Sequence, residues 1–207
     1  MYGVPENRQW QRFGVIHPGE YQLATFSGNR VIIQGFPVGQ ALARVSNRRF
    51  QVDHWNVAQR LQFLESGDVV MDVAVSTAAN GPGEIMHSEC TPRGRHRVRA
   101  KIGAGAPANT VFVGRRASGE IYTPELKQQH PGRDWILSRI LWLCGTEPGK
   151  NRFGKVDSMR RYIYIHGCPD SEPMGEPRSH GCIRMRNQDV IELFERAPAG
   201  MPVLIEE

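Results

Sequence analysis

Ile165-His166-Gly167-Cys168, followed after a short polar stretch by Ser179-His180-Gly181-Cys182-Ile183-Arg184-Met185, decides how this chain is read. The first piece closes the apolar run Tyr162-Ile163-Tyr164-Ile165, whose β-branched and aromatic residues predict a strand. With a side-chain period of two, Tyr162, Tyr164 and His166 fall on one face of that strand. The second piece leads into Asp189–Arg196, a helical pattern with Asn187 as a plausible N-cap and Pro198 and Gly200 as its stop. A thiol, two imidazoles and flexible glycine backbone thus occur within one span, between a strand and a helix.

That combination suits cysteine chemistry. A thiol with an ordinary pKa of about 8.5 is mostly protonated at neutral pH and needs a base or a positive environment to attack. Cys182 is the candidate nucleophile. Glycine before it lets a substrate approach the backbone and lets N–H groups converge on an oxyanion. His166 is the candidate base, with the Gly167 carbonyl available to fix its tautomer. His180 is a second candidate, or a residue that holds the loop. Arg184, two residues past the thiol, can project to the same side and receive a substrate carboxylate; its other reading is an ion pair with a nearby acid. Tyr164, on the face of His166, is a candidate substrate contact. His166-x-Cys168 and His180-x-Cys182 also form a formal two-Cys, two-His zinc set, although one-residue gaps are unusual for zinc. Cys168 otherwise reads as a small residue in a turn before Pro169-Asp170.

Working outward, short strand-like runs recur at Arg60–Glu65, Val69–Val75, Arg97–Ile102, Thr110–Gly114, Trp135–Leu143 and Pro202–Ile205. Ser66-Gly67-Asp68 marks a hairpin between the first two. Many short strands and few short helices predict a mainly β domain, a two-sheet sandwich or barrel-like pair of sheets. Residues 1–47 are less patterned and read as an extension of unknown role, with one possible strand at Arg30–Gln34; residues 48–207 read as the catalytic domain. Between Cys144 and Met159 the periodicity lapses, which fits either a lid or an ordinary surface loop.

The chain has 207 residues, 40% hydrophobic, with 26 Lys and Arg against 21 Asp and Glu, a net charge of +5 and a pI near 9.3. This size allows one sizeable core, and the charge favours an anionic partner. Basic residues at 93, 95, 97, 99 and 101 form a cationic stripe if that segment is a strand; the plainer reading is a solvated face paired with acids. With 8% aromatic residues and no recognition helix or stacking platform, nucleic acid is not an expected partner. No run is long and apolar enough to span a bilayer, and the N-terminus lacks a basic start and apolar run. The expected compartment is the cytoplasm if the chain is complete, and the periplasm if an export signal is missing from it. Cys90, Cys144, Cys168 and Cys182 are expected as reduced thiols.

The motif residues resemble those of the L,D-transpeptidase family of the YkuD type, cysteine enzymes that remodel peptidoglycan. Val75-Ser76-Thr77 and Thr91-Pro92-Arg93-Gly94 resemble two further signatures of that family, and the tail from Asp189 to Val203 resembles its ending. The resemblance implies a two-sheet β fold with the thiol at the edge of a cleft under a lid. It implies Cys182 as nucleophile, His166 as base oriented by the Gly167 carbonyl, and an oxyanion hole from the N–H groups of Gly181 and Cys182. Ser179 and His180 would shape the loop. Many members carry Asn at the position of Arg184, and some carry Ser at that of Gly167. The implied reaction is acyl transfer on peptidoglycan stem tetrapeptides. The thiol cleaves the bond between the third-position diamino acid and D-Ala, and a thioester passes to an amine. The alternative is a cytoplasmic L,D-carboxypeptidase of peptidoglycan recycling, with water as acceptor. No metal or cofactor is implied, and carbapenem-type β-lactams are implied inhibitors. A non-enzymatic, zinc-stabilised binding module is the remote alternative.

Overall fold

The computed structural model describes residues 30–34, 59–66 and 68–206. Among the described residues, ten strands and two α-helices run in the order β1 (Arg30–Gln34), β2 (Arg60–Glu65), β3 (Asp68–Ala74), β4 (Gly94–Ile102), β5 (Thr110–Val113), β6 (Arg116–Ile121), α1 (Pro124–Gln129), β7 (Ile136–Gly145), β8 (Tyr164–Gly167), β9 (Ile183–Met185), α2 (Asn187–Arg196) and β10 (Pro202–Glu206). The mainly β expectation therefore holds. All ten strands hydrogen-bond into one mixed sheet, in the order β3-β2-β1-β10-β4-β7-β5-β6, with β8 and β9 branching from β7.

The sheet has to curl. Leu61 on β2 and Ile183 on β9 lie in one hydrophobic cluster, yet six inter-strand steps separate them along the ladder. At about 4.8 Å per step a flat sheet would hold them about 29 Å apart. Instead the chain after β3 meets β9: Ser76 and Arg184 exchange both backbone hydrogen bonds, at 3.0 and 2.9 Å. That bridge closes the ladder into a barrel-like wall around Val31, Ile33, Phe63, Val98, Leu141, Ile165, Met185 and Ile205. Helix α2 packs on it through buried Val190, Leu193 and Phe194, the helical spacing of one apolar face.

Several elements add to or differ from the sequence reading. Arg30–Gln34, the possible strand within the segment read as an extension, is a strand and lies between β2 and β10; the remainder of 1–47 and Gly67 of the hairpin lie outside the described residues. Strands β6 and β9 and helix α1 were not anticipated. Asn187 is not the N-cap of α2. Arg186 takes that place without a side-chain bond, while buried Asn187 donates to the Cys168 carbonyl at 2.9 Å and pairs with Ser138 Oγ at 2.6 Å. Its amide is worth more tying α2 to β7 and to the end of β8, where water cannot serve, than capping an accessible helix end.

The basic run is broken by a bulge between Val98 and Ala100. Arg95, Arg97 and Arg99 stay exposed, but Lys101 Nζ stands 4.4 Å from the Phe194 ring centroid, and Arg93 pairs with Glu84 at 2.8 Å. The five-residue stripe is thus three residues long. No described helix is long and apolar enough to cross a membrane.

Candidate functional site

Strands β8 and β9 run parallel, with Ile165 opposite Ile183, His166 opposite Arg184 and Gly167 opposite Met185. Ile165, Ile183 and Met185 point into the central core. Alternation therefore turns Tyr164, His166, Cys182 and Arg184 to the other face. The motif residues meet because two short strands are zipped side by side.

Cys182 is half-buried at the entry to β9, against the cluster of Phe112, Ile140, Tyr164 and Trp142. Its thiol donates to the Tyr162 carbonyl at 3.4 Å. Burial pushes the thiol up to about 12; a backbone hydrogen bond from Tyr164 and the Arg184 and Arg161 guanidinium groups pull the other way, and Asp134 adds to the rise. The resting thiol is therefore neutral. His166 is fully buried, and its Nδ1 lies 2.8 Å from the Gly167 carbonyl. That carbonyl can only accept, so Nδ1 carries the proton and Nε2 is the basic nitrogen. Nε2 has no hydrogen-bond partner. Burial holds the imidazole below its ordinary value, opposed by Asp134 and the Gly167 carbonyl. A neutral base thus shares a face with a neutral thiol.

The loop before Cys182 is held by side chains from distant segments. Ser179 Oγ donates to the Cys182 carbonyl at 2.5 Å and accepts from the Gly181 amide at 3.2 Å. Thr91 Oγ1 donates to the Gly181 carbonyl at 3.0 Å and accepts from the Ala78 amide at 3.0 Å. Thr77 O accepts from the Ser179 amide at 2.8 Å. Ser76-Thr77 and Thr91 therefore form the scaffold of the nucleophile loop. Gly181 sits at φ 122°, where an added Cβ would press on the Cys90 carbonyl at 3.2 Å. At Gly167 a Cβ would collide with Asn187 Oδ1 and, at 2.8 Å, with the Leu137 carbonyl.

Of the other expected site residues, His180 is exposed and lines a cleft of about 230 Å³ with Asp134, Trp135, Cys168, Glu172 and Arg184. Arg184 is paired with Asp134 at 2.8 Å and lies 3.9 Å from Glu172. Tyr164 is buried edge-on against Trp142, with ring centroids 5.8 Å apart, and forms the wall behind the thiol. The Gly181 amide, expected at an oxyanion, is engaged by Ser179 Oγ. Cys168 is buried, its thiol donates to the Met185 carbonyl at 3.4 Å, and burial pushes it up to about 12. All four cysteines are unpaired. Among the described residues no three His, Cys, Asp or Glu side chains gather as metal ligands.

Sequence reasoning missed two features. The loop after Cys144 does not hang free: Asn151 Nδ2 donates to the Arg93 and Arg95 carbonyls, at 3.0 and 3.1 Å, and His96 Nε2 meets Ser158 Oγ at 2.8 Å. The tip of the β5–β6 hairpin reaches the aromatic residues near the site. Arg115 at its tip lies 4.9 Å from the Trp142 ring and 5.1 Å from that of Tyr162. Gly114-Arg115 was a readable turn signal; its contact with Trp142 and Tyr162 was not.

A family model of the L,D-transpeptidase catalytic domain, the YkuD domain, matches residues 49–205. The chain belongs to that family. The probable L,D-transpeptidase YbiS of Escherichia coli strain K12 is 31% identical over 105 residues, covering 50% of this chain and 34% of that protein. YqjB of Bacillus subtilis is 46% identical over 47 residues, 23% of this chain and 27% of that one. This YkuD-family chain thus matches only about a quarter to a third of either relative's length. Among solved structures, an L,D-transpeptidase from Xylanimonas cellulosilytica aligns with a TM-score of 0.44 and 19% identity, over 87% of this chain and 61% of that one. L,D-transpeptidase 3 of Mycobacterium tuberculosis, with a faropenem-derived adduct, aligns at 0.46 and 14%, over 87% and 61%.

Proposed function

We propose that this chain is a cysteine acyltransferase acting on peptidoglycan stem tetrapeptides. The observation that carries the reading is the parallel pairing of β8, which bears His166, with β9, which Cys182 immediately precedes, with Nδ1 of His166 held by the Gly167 carbonyl and Nε2 unengaged. Family membership names the reaction type.

Both partners rest neutral, so the thiolate forms during attack. Cys182 Sγ gives its proton to His166 Nε2 as it adds to the carbonyl of the third-position diamino acid. The tetrahedral oxyanion is met by the Cys182 amide, joined by that of Gly181 once it turns from Ser179 Oγ. The imidazolium returns its proton to the departing amine, D-Ala leaves, and a thioester remains. The amine of a second stem then attacks the thioester carbonyl and loses its proton to His166, giving a 3→3 cross-link. Water in place of the amine gives a tripeptide. Arg184 and Tyr164 flank the donor side of the thiol. No step needs a metal or cofactor. The same thiol would open the β-lactam ring of a carbapenem.

The test is mass spectrometry of the protein incubated with a disaccharide-tetrapeptide. A thioester on Cys182 with free D-Ala is the expected result, and a cross-linked dimer identifies an amine as acceptor. Tripeptide without dimer identifies water and makes the chain an L,D-carboxypeptidase. Neither product, with no adduct from a carbapenem, overturns the reading.

A further inference from the structure

Arg161 has no step in the acyl transfer, yet it is tied to the nucleophile loop in two ways. Its amide donates to the Asp157 carbonyl at 2.9 Å, in the tight turn that leads into β8. The next residue, Tyr162, sits at φ 58°, a left-handed setting uncommon for a residue with a Cβ, and its carbonyl accepts from the Cys182 thiol at 3.4 Å. The half-buried Arg161 side chain reaches the segment before Thr91. Nη1 donates to the Gly83 carbonyl at 3.0 Å, and Nη2 donates to the Cys90 carbonyl at 2.6 Å and to Ser88 Oγ at 3.3 Å. That Cys90 carbonyl is the one on which a Cβ at Gly181 would press. The guanidinium thus grips the backbone behind the residue that precedes the thiol, and the neighbouring Thr91 hydroxyl bonds that same residue's carbonyl.

Every acceptor of this guanidinium is neutral, and among the described residues no carboxylate pairs with it. Glu84, whose charge reaches it, is itself held by Arg93 at 2.8 Å. The charged groups that face Cys182 are Asp134 from the segment before β7, Arg184 from β9 and Arg161 from the turn before β8; Tyr164 and His166 stand on β8. Asp134 and Arg184 are one ion pair at 2.8 Å, and Glu172 lies 3.9 Å from the same arginine, so their fields at the sulfur largely cancel. Arg161 is left as the unbalanced charge, and its sign favours a thiolate.

We propose that Arg161 is a positioning residue of this site, which locks the backbone behind Gly181 and presents to Cys182 the positive charge that a departing proton requires. The inference rests on the reading of Cys182 as the nucleophile. The thiolate that forms as Sγ attacks is then met by two groups with separate tasks: His166 takes the proton, and a fixed guanidinium, which neither gives nor takes one, steadies the negative sulfur. The strained turn also gains a purpose. One short segment, Arg161-Tyr162, brings both the carbonyl that holds the resting thiol and the cation that favours the reacting one.

Alkylation by iodoacetamide, a neutral reagent, tests this, with the modified residue located by peptide mass mapping. Arg161→Gln keeps an amide donor and loses the charge. Its rate at Cys182 should fall about tenfold at each pH from about 7 to 9, so that the pH profile keeps its slope and moves to higher pH. Arg161→Lys keeps the charge and loses the fork, and should return most of that rate. With a tetrapeptide donor, Arg161→Gln should lower kcat and leave KM little changed, because the thiolate forms only during attack. Unfolding midpoints establish that the variants are folded. Should Arg161→Gln not fold, Glu84→Gln takes its place: it strips a negative charge from around Arg161 and should quicken alkylation. A wild-type rate in Arg161→Gln, equal slowing in the Gln and Lys variants, or an unmoved rate in the substitute Glu84→Gln overturns the proposal. Charge-dependent alkylation without turnover of any tetrapeptide leaves Arg161 in its role beside the thiol and overturns the acyl-transfer reading instead.

Discussion

Cys182 and His166 both rest uncharged, the thiol directed at the Tyr162 carbonyl and the ring held by the Gly167 carbonyl. Cys182→Ala should abolish turnover with the unfolding midpoint little changed; product above the uncatalysed rate would reassign the nucleophile. His166→Ala should lower kcat by about 10²–10⁴, the usual worth of a positioned base, and an unchanged kcat would move that role to His180. Gly167 has a steric reason to be glycine in this chain. Its missing Cβ is the space taken by Asn187 Oδ1 and the Leu137 carbonyl. Gly167→Ala should cost about 1–3 kcal/mol of stability, as overpacking does, and also lower kcat by moving the carbonyl that holds His166. Equal denaturant midpoints for the two proteins would refute this.

At the scale of elements, the nucleophile loop depends on segments remote in sequence. Thr91 is fully buried and links the Ala78 amide to the Gly181 carbonyl through one hydroxyl. Thr91→Val keeps the shape and removes both bonds, leaving a buried donor and acceptor unmet; about 2–4 kcal/mol of stability should go. Activity should fall further than stability alone explains, because the loop that aims Cys182 is loosened. Measuring kcat well below the unfolding temperature separates the two effects, and a variant with normal kcat there would show Thr91 to be structural only. The Ser76–Arg184 bridge works similarly, binding the end of β3 to the strand that carries the site.

For the whole molecule, the loop over 146–158 is pinned to the central strand β4 by His96. That ring is buried between the Gly94 carbonyl and Ser158 Oγ, and burial lowers it to about 4. In the unfolded chain it titrates near 6.5. Between these values the unfolded chain takes up a proton that the fold refuses, so this contribution is complete above about pH 6.5 and shrinks as pH falls toward 4. It amounts to about 3 kcal/mol at most. Urea midpoints at pH 7 and pH 5 should differ for the wild type and differ less for His96→Gln; parallel changes in both would remove His96 from the account.

Most strands and helix α2 were legible in the sequence because each rests on local rules: strand alternation and helical spacing. The family followed from the short motif runs. The sequence did not disclose that Arg30–Gln34 joins the sheet, since five apolar and polar residues carry no record of a partner. Asn187 was misread because a capping signature and a buried cross-link use the same side chain, and only burial distinguishes them. The stretch after Cys144, read as either a lid or a surface loop, is tied to β4 through Asn151 and Ser158, contacts that sequence distance does not reveal. Arg184 was legible as either a carboxylate receptor or an ion-pair member, and only the fold, by placing Asp134 within 2.8 Å of it, revealed the pair. Local structure was thus determined by the sequence alone. Which groups meet, and hence which protons and charges rest where, was decided by the tertiary structure, because burial and long-range pairing exist only once the sheet has closed.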